Sequence, residues 1–237
     1  MKKLIKSELL KNRFWICILA GIIVPIAIAI MIKVQIVDRT AGFIEVPLDA
    51  YMFSILCNAY LLLIFPCFML FLNIFYSQVE DRDNGWIMVL SCVKRTERVI
   101  MAKFIMNMLV CFIAYASFTG ICCYLLRERG GQVLLTAVVV PMLYSFICYI
   151  PLLLFIQIFC IILPYLIAKV FTGIFFIILT MAITQTKWST FYFPSFYFTV
   201  SQDLEMLGIK LISSFILIVV IFFGGARLVK KYVEHIL

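Results

Sequence analysis

Histidine is almost absent from this chain of 237 residues, and the one that occurs, His235, stands near the C-terminus. Metal-dependent proteases and histidine-assisted hydrolases need imidazole groups inside the folded protein, so this shortage excludes most of them. The sequence also lacks a Walker A motif, and no apolar run contains a pair of carboxylates. We therefore predict no catalytic residue, no metal site and no cofactor bound to this chain.

Charge is scarce as well. Only 14% of the residues are charged, whereas a soluble domain carries about 25%. Hydrophobic residues make up 65% and the mean hydropathy is +1.15, which indicates an integral membrane protein. No Gly/Ser-rich linker and no internal repeat divides the sequence, so residues 1–237 are expected to form a single transmembrane domain with no room for a nucleotide-binding domain.

Nine cysteines occur, but none of them forms a CxxC pair. Eight lie in apolar runs and Cys92 lies in a charged segment. This pattern favours small buried hydrophobic residues between helices over a redox or metal site.

Six apolar segments are long enough to cross a membrane, since a helical span needs about 20 apolar residues. The run from 133 to 186 contains Lys169 as its only charge, so it is too long for one span and must fold back between Gln157 and Val170. Pro164 and Lys169 are the candidate turn residues. The expected fold is all-α with six transmembrane helices, at residues 14–32, 51–76, 104–126, 133–160, 168–186 and 207–226.

Lysine and arginine predict the orientation, because cytoplasmic loops carry an excess of them. Placing the N-terminus inside puts fourteen of the 20 basic residues on the inner side, so both termini are expected in the cytoplasm. The net charge of +8 then favours anionic lipid headgroups over a nucleic acid. The first apolar run continues past Ala29 to Ile32, so we expect it to remain as a span and not to be cleaved as a signal peptide.

The first 13 residues combine an apolar face with basic residues, which is typical of a short helix lying in the inner headgroup layer. A simple basic anchor is the alternative. The residues that distinguish the helix are Lys3, Lys6, Glu8 and Lys11.

The segment 78–103 packs nine charged residues between two long apolar runs. Acidic residues come first, then a turn signal at Asn84–Gly85, an apolar patch too short to span, and a basic group. Opposite charges around an apolar patch form a surface that a partner can bind in one register. A solvated loop with no partner is the alternative. The candidate partner-binding residues are Glu80, Arg82, Gly85, Trp86, Leu90, Lys94, Arg95, Arg98 and Lys103.

These two segments together resemble the membrane subunits of type-2 ABC exporters, which are bacterial permeases. Members typically begin with a short Lys/Glu amphipathic helix, as residues 1–11 do here. Between spans two and three they carry a Glu, a Gly five residues later, an apolar stretch, a basic cluster and a Lys that opens span three. Glu80, Gly85, the Lys94–Arg95 pair and Lys103 match that pattern, although Cys92 stands near the place where members often have a proline.

The short length makes the chain most similar to permeases of lantibiotic and bacitracin self-protection systems. This resemblance implies a multi-pass protein of the bacterial plasma membrane that pairs with an identical or sister permease subunit. A separate cytosolic ATPase subunit would bind ATP and Mg²⁺ and would also bind the segment 78–103. The implied cargo is an amphipathic, membrane-active peptide antibiotic, whose export confers resistance.

Several further residues have two interpretations. The amides Asn58, Asn73, Asn107 and Gln157 either line a cargo pathway or hold helices together. An aromatic-rich outer segment, residues 187–205, is either an interfacial belt or the exit lip for the cargo, and its candidate residues are Phe191, Tyr192 and Tyr197. The alternative function for the whole chain is a non-transporting membrane scaffold or sensor.

Overall fold

The computed structural model describes residues 14–34, 56–81, 96–128, 135–163, 165–184, 186 and 207–236. Within these residues every regular element is a helix, and six helices are long and apolar enough to cross a membrane. The protein is therefore a multi-pass membrane protein whose described residues are all-helical, and the predicted fold class is confirmed at that level. The helices are α1 (Phe14–Ile32), α2 (a π-helical segment Tyr60–Ile64 followed by Phe65–Asp81), α3 (Thr96–Glu128), α4 (Leu135–Ile162), α5 (Leu166–Thr184) and α6 (Leu207–Ile236).

The helices on either side of the charged segment are longer than their apolar runs. Helix α2 continues to Asp81, and α3 already begins at Thr96, whereas the sequence predicts spans that end at 76 and begin at 104. Charged residues end an apolar run without ending a helix. The negative charge of Glu97, in the first turn of α3, interacts favourably with the positive end of the helix dipole. The 33 residues of α3 extend for about 50 Å, so α3 projects beyond a hydrocarbon core of about 30 Å.

The long run from 133 to 186 is divided where α4 ends at Ile162 and α5 begins at Leu166. Position 164, the predicted proline turn, lies outside the described residues. The other predicted turn residue, Lys169, is in the first turn of α5, where its backbone N–H donates to the carbonyl of Tyr165 at 3.1 Å.

Helix α4 is the centre of the bundle. Of its span, 72% is buried, against 22% for α5 and for α6, and it contacts α2, α3, α5 and α6. Helix α1 packs along α3, and α5 packs mainly against α2. The close packing of α6 on α4 depends on Gly225, because a Cβ at that position would overlap the side chain of Ile158.

An aromatic core joins α2, α3 and α4 near the middle of the bundle. The π-helical segment precedes Pro66, whose ring cannot follow a regular α-helical turn, so the wider turn accommodates the proline. The ring of Tyr60 stacks on Phe118 with centroids 3.6 Å apart, and its hydroxyl donates to the carbonyl of Ala114 at 3.2 Å. The hydroxyls of Tyr115 and Ser145 pair at 2.7 Å.

One end of the bundle collects the helix ends on either side of the charged segment, and we call it the loop end. Helix α2 finishes there and α3 starts there. The start of α1 and the end of α4 line a common cavity with these two helices, and Lys169 places the start of α5 beside Ser77 of α2. The contact between Gly225 and Ile158 places the last part of α6 at the same end.

Candidate functional site

A buried polar cluster lies at the loop end, among otherwise apolar helices. It comprises side chains from four helices: Asn73 and Ser77 of α2, Lys103 and Asn107 of α3, Gln157 of α4 and Lys169 of α5. All six are at most 6% exposed.

Asn107 is the centre of this polar cluster. Its side-chain N–H₂ group donates to the side-chain oxygen of Asn73 at 2.7 Å and to that of Gln157 at 3.3 Å. One residue of α3 is therefore bonded to both α2 and α4. Buried amides in a membrane bundle need such partners, since lipid offers none.

The two partner amides also donate to backbone groups. Asn73 donates to the carbonyl of Met69, one turn earlier in α2, at 2.8 Å. Gln157 donates across the helix interface to the carbonyl of Ile100 in α3 at 3.1 Å. Helices α3 and α4 are thus joined by two hydrogen bonds through Gln157, which restricts both sliding and rotation between them.

Two lysines belong to the polar cluster. The ammonium of Lys169, only 1% exposed, donates to the hydroxyl of Ser77 at 2.9 Å, and this hydroxyl in turn donates to the carbonyl of Ile74 at 3.0 Å. Lys103 is 6% exposed. The sequence placed Lys103 at the end of the partner-binding segment, whereas the structure places its side chain inside the bundle.

A small cavity of about 20 Å³ lies beside the polar cluster, large enough for one water-sized group. Its walls come from α1, α2, α3 and α4, and they are partly polar and partly apolar. The residues lining it are Phe14, Asn73, Tyr76, Ser77, Lys103, Met106, Asn107, Gln157, Cys160 and Ile161.

Helical spacing explains why these residues converge. Residues four apart lie on one face of a helix, which brings Asn73 together with Ser77 and Lys103 together with Asn107. The sequence interpretation treated the amides separately and missed Ser77. The i, i+4 spacing of polar residues in two neighbouring spans is the signal that could have found the cluster.

The predicted pathway amides do not form one group. Asn73, Asn107 and Gln157 come together as described, but Asn58 lies 15 residues before Asn73 in the same helical span, about 20 Å away. The bonds among the three amides fit the helix-association interpretation, since each amide binds a neighbouring helix.

The predicted partner-binding residues are described only at the two ends of their segment. Glu80 belongs to the last turn of α2, and Arg98 is exposed in the first turns of α3. The predicted interfacial helix and the aromatic outer segment lie outside the described residues. The same holds for the remaining residues predicted to bind the ATPase: Arg82, Gly85, Trp86, Leu90, Lys94 and Arg95.

The arrangement offers mechanical linkage between helices. The polar cluster joins α3 to α2 and α4 through its amides and joins α5 to α2 through Lys169, near the end of α2 and the start of α3. Displacement of one of these helices is therefore resisted by the helices bonded to it. Comparison of the chain with known protein families, with curated proteins and with solved structures finds no match.

Proposed function

We propose that this chain is the membrane-spanning permease subunit of an ATP-driven exporter of the type-2 ABC class. In this proposal the chain hydrolyses no nucleotide itself. ATP and Mg²⁺ bind a separate cytosolic ATPase subunit. This subunit binds the charged segment between α2 and α3. A second permease subunit, identical or related, completes the transporter.

The observation that carries the proposal is the hydrogen bond between Asn73 and Asn107, which joins the two helices that flank that segment in sequence. A force on the segment reaches both α2 and α3, and the bonds of Asn107 pass it to α4. Switching between two packed helix arrangements needs rigid elements joined in this way.

The distribution of basic residues supports a cytoplasmic loop end; the bacterial plasma membrane is part of the proposal through the resemblance. Among the described residues, the loop end has twice as many lysines and arginines as the opposite end, as the positive-inside rule requires of a cytoplasmic side. The loop end holds Arg98, Lys103, Lys169, Arg227, Lys230 and Lys231; the opposite end holds Lys33, Arg127 and Lys210.

The chemistry of the spans supports an amphipathic peptide as cargo, such as a lantibiotic. In the described part of the bundle, the buried lysines lie towards the helix ends, and the middle is occupied by the aromatic core of Tyr60, Phe118 and their neighbours. Ion or proton pathways place charged groups within the spans. A membrane-active peptide that already lies in the outer leaflet needs no such pathway.

Charge reversal at the two ends of the segment tests the ATPase partnership. We expect Glu80→Lys combined with Arg98→Glu to abolish co-purification with an ATPase subunit that carries a Walker motif and is encoded beside this chain. Arg127→Glu, at the opposite end of α3, is the matched control and should leave co-purification intact. Equal recovery of the ATPase with both variants would contradict the proposal, provided that both insert into the membrane at wild-type levels.

A tolerance assay tests the cargo separately. Cells that express the chain with its ATPase should survive a higher lantibiotic concentration than cells in which the ATPase lacks its catalytic carboxylate. If the two subunits bind each other but tolerance is unchanged, the peptide assignment is wrong and the exporter assignment stands.

A further inference from the structure

Helix α2 is interrupted near the middle of the bundle by its π-helical segment and by Pro66, which divide it into an outer part and a loop-end part. We infer that this interruption is a hinge, held in its observed arrangement by the hydroxyl of Tyr149 in α4. The loop-end part of α2 bends about this hinge when the charged segment is displaced. The source of that displacement rests on the proposed function, whereas the hinge itself requires only this chain in a membrane.

The first argument is the backbone hydrogen bonding around Pro66. In the π-helical segment the N–H of Phe65 donates to the carbonyl of Tyr60, five residues earlier. The next bond in this register would run from residue 66 to the carbonyl of Leu61, but proline has no N–H. The hydroxyl of Tyr149 donates to that carbonyl. A side chain of α4 therefore replaces the backbone bond that α2 lacks here, as neighbouring helices do for prolines in other membrane spans.

This substitution makes the interruption the easiest place for α2 to bend. Bending there requires one hydrogen bond from a side chain to lengthen, whereas bending within a regular part of the helix requires backbone bonds to lengthen. Sharp bends in helices occur mainly at prolines and at π-helical turns, and α2 has both within seven residues.

The second argument is that the two parts of α2 are attached to different neighbours. The outer part is held against α3, because the ring of Tyr60 stacks on Phe118. The loop-end part is bonded to α5 through Ser77 and Lys169, and α5 packs mainly against α2. A bend between the two parts therefore displaces α5 relative to the outer half of α3.

The third argument is the leverage of the loop-end part. Gln78 lies 12 residues after Pro66, about 18 Å along the helix. A bend of about 20°, the lower limit of a sharp kink, would displace Gln78 by about 6 Å. Asn73 lies between these two positions, so the same bend changes its distance from Asn107 in α3. The bond between the two asparagines is therefore one of the restraints on the hinge, together with the bond from Tyr149.

Distances between spin labels test the hinge in the chain alone. After replacement of the native cysteines, one label is placed at Gln78→Cys and the other at an exposed loop-end position, Trp15→Cys in α1 or Arg227→Cys in α6. Double electron–electron resonance in lipid nanodiscs should give one narrow distance for each pair when Tyr149 is intact. Tyr149→Phe keeps the ring but removes the donor to Leu61. A second distance, shifted by up to about 6 Å, should then appear in at least one pair.

Two further variants make this test specific. Tyr115→Phe removes a different hydroxyl of the same aromatic core, the one paired with Ser145, and should keep the single distance. Pro66→Ala supplies the N–H that α2 lacks, so its combination with Tyr149→Phe should restore the single distance. A single distance in Tyr149→Phe, a second distance in Tyr115→Phe, or a second distance that persists in the combined variant would each overturn the inference.

The ATPase separates the hinge from the proposed function. With the ATPase and a non-hydrolysable ATP analogue, the wild-type chain should show the second distance and Pro66→Ala should not. Equal shifts in both would overturn the hinge. If neither shifts while Tyr149→Phe alone shows the second distance, the hinge stands and ATP-driven bending is wrong. Should Tyr149→Phe fail to fold, the absence of a shift in the wild type overturns the inference.

Discussion

Asn107 of α3 donates to Asn73 of α2 at 2.7 Å, although 34 residues, including the whole charged segment, separate them in sequence. The same amide group donates to Gln157 of α4, so one side chain joins three helices. Charged residues at both ends of the segment are separated from this junction by only two or three helical turns. The junction therefore links both helices that flank the segment to α4.

Removing the amide of Asn107 should loosen this junction. In Asn107→Leu the oxygens of Asn73 and Gln157 would face an apolar side chain, and leaving buried polar groups unsatisfied costs about 1–3 kcal/mol. We expect a loss of that size in the free energy of unfolding, measured by denaturant titration in detergent micelles. Ser117→Ala is the control, because Ser117 bonds only to the carbonyl of Ile113 in its own helix and should change stability by less than about 1 kcal/mol.

A result in which Asn107→Leu loses no stability would also be informative. Unchanged stability in Asn107→Leu would mean that the two freed amides find other partners, and the junction would then not restrain the helices as the proposed function requires.

Two adjacent glycines of α6 should respond differently to alanine. A Cβ at Gly225 would overlap the side chain of Ile158 in α4, whereas a Cβ at Gly224 would meet nothing within 4 Å. Overpacking a close helix contact typically costs about 1–3 kcal/mol, so Gly225→Ala should lower the thermal unfolding temperature. Gly224→Ala should leave it unchanged or raise it slightly, because alanine favours a helix over glycine by about 1 kcal/mol. Equal effects of the two substitutions would contradict the packing of α6 on α4.

The bond between Tyr115 and Ser145 should be measurable as a coupling between α3 and α4. Their hydroxyls are 2.7 Å apart and both side chains are buried. We expect Tyr115→Phe and Ser145→Ala each to destabilise the protein, and the double variant to lose less than the sum of the two. Coupling energies for such bonds in membrane proteins average about 0.6 kcal/mol and reach about 1.7 kcal/mol. Strictly additive effects would contradict the bond.

The sequence predicted the number and class of the helices because length and apolarity alone decide which segments can cross a membrane. It predicted the first helix with the observed bounds, Phe14–Ile32. The predicted third span begins at 104, whereas α3 begins eight residues earlier, at Thr96. Hydrophobicity detects the part of a helix that lies in lipid, and a helix that projects into water keeps its backbone hydrogen bonds there.

The polar cluster could be predicted only in part. Asn73, Asn107 and Gln157 stand out as amides in apolar runs, but which of them meet depends on helix rotation and depth, and a single sequence does not encode these directly. Lys103 was expected at the end of the charged segment, where the resemblance implies a Lys that opens span three. Its burial depends on how the neighbouring helices pack around it, which no local pattern reveals.

The orientation of the chain can be tested with two positions of one helix. Arg98 and Arg127 are both exposed, at opposite ends of α3, and the proposed orientation puts Arg98 in the cytoplasm and Arg127 outside. After replacement of the nine native cysteines, a membrane-impermeant maleimide should label Arg127→Cys in intact cells, but Arg98→Cys only after the membrane is permeabilised. The reverse labelling would place the charged segment outside the cell, beyond the reach of any cytosolic ATPase. Because both cysteines report on the same helix, failure of insertion would alter both signals together and could not imitate either orientation.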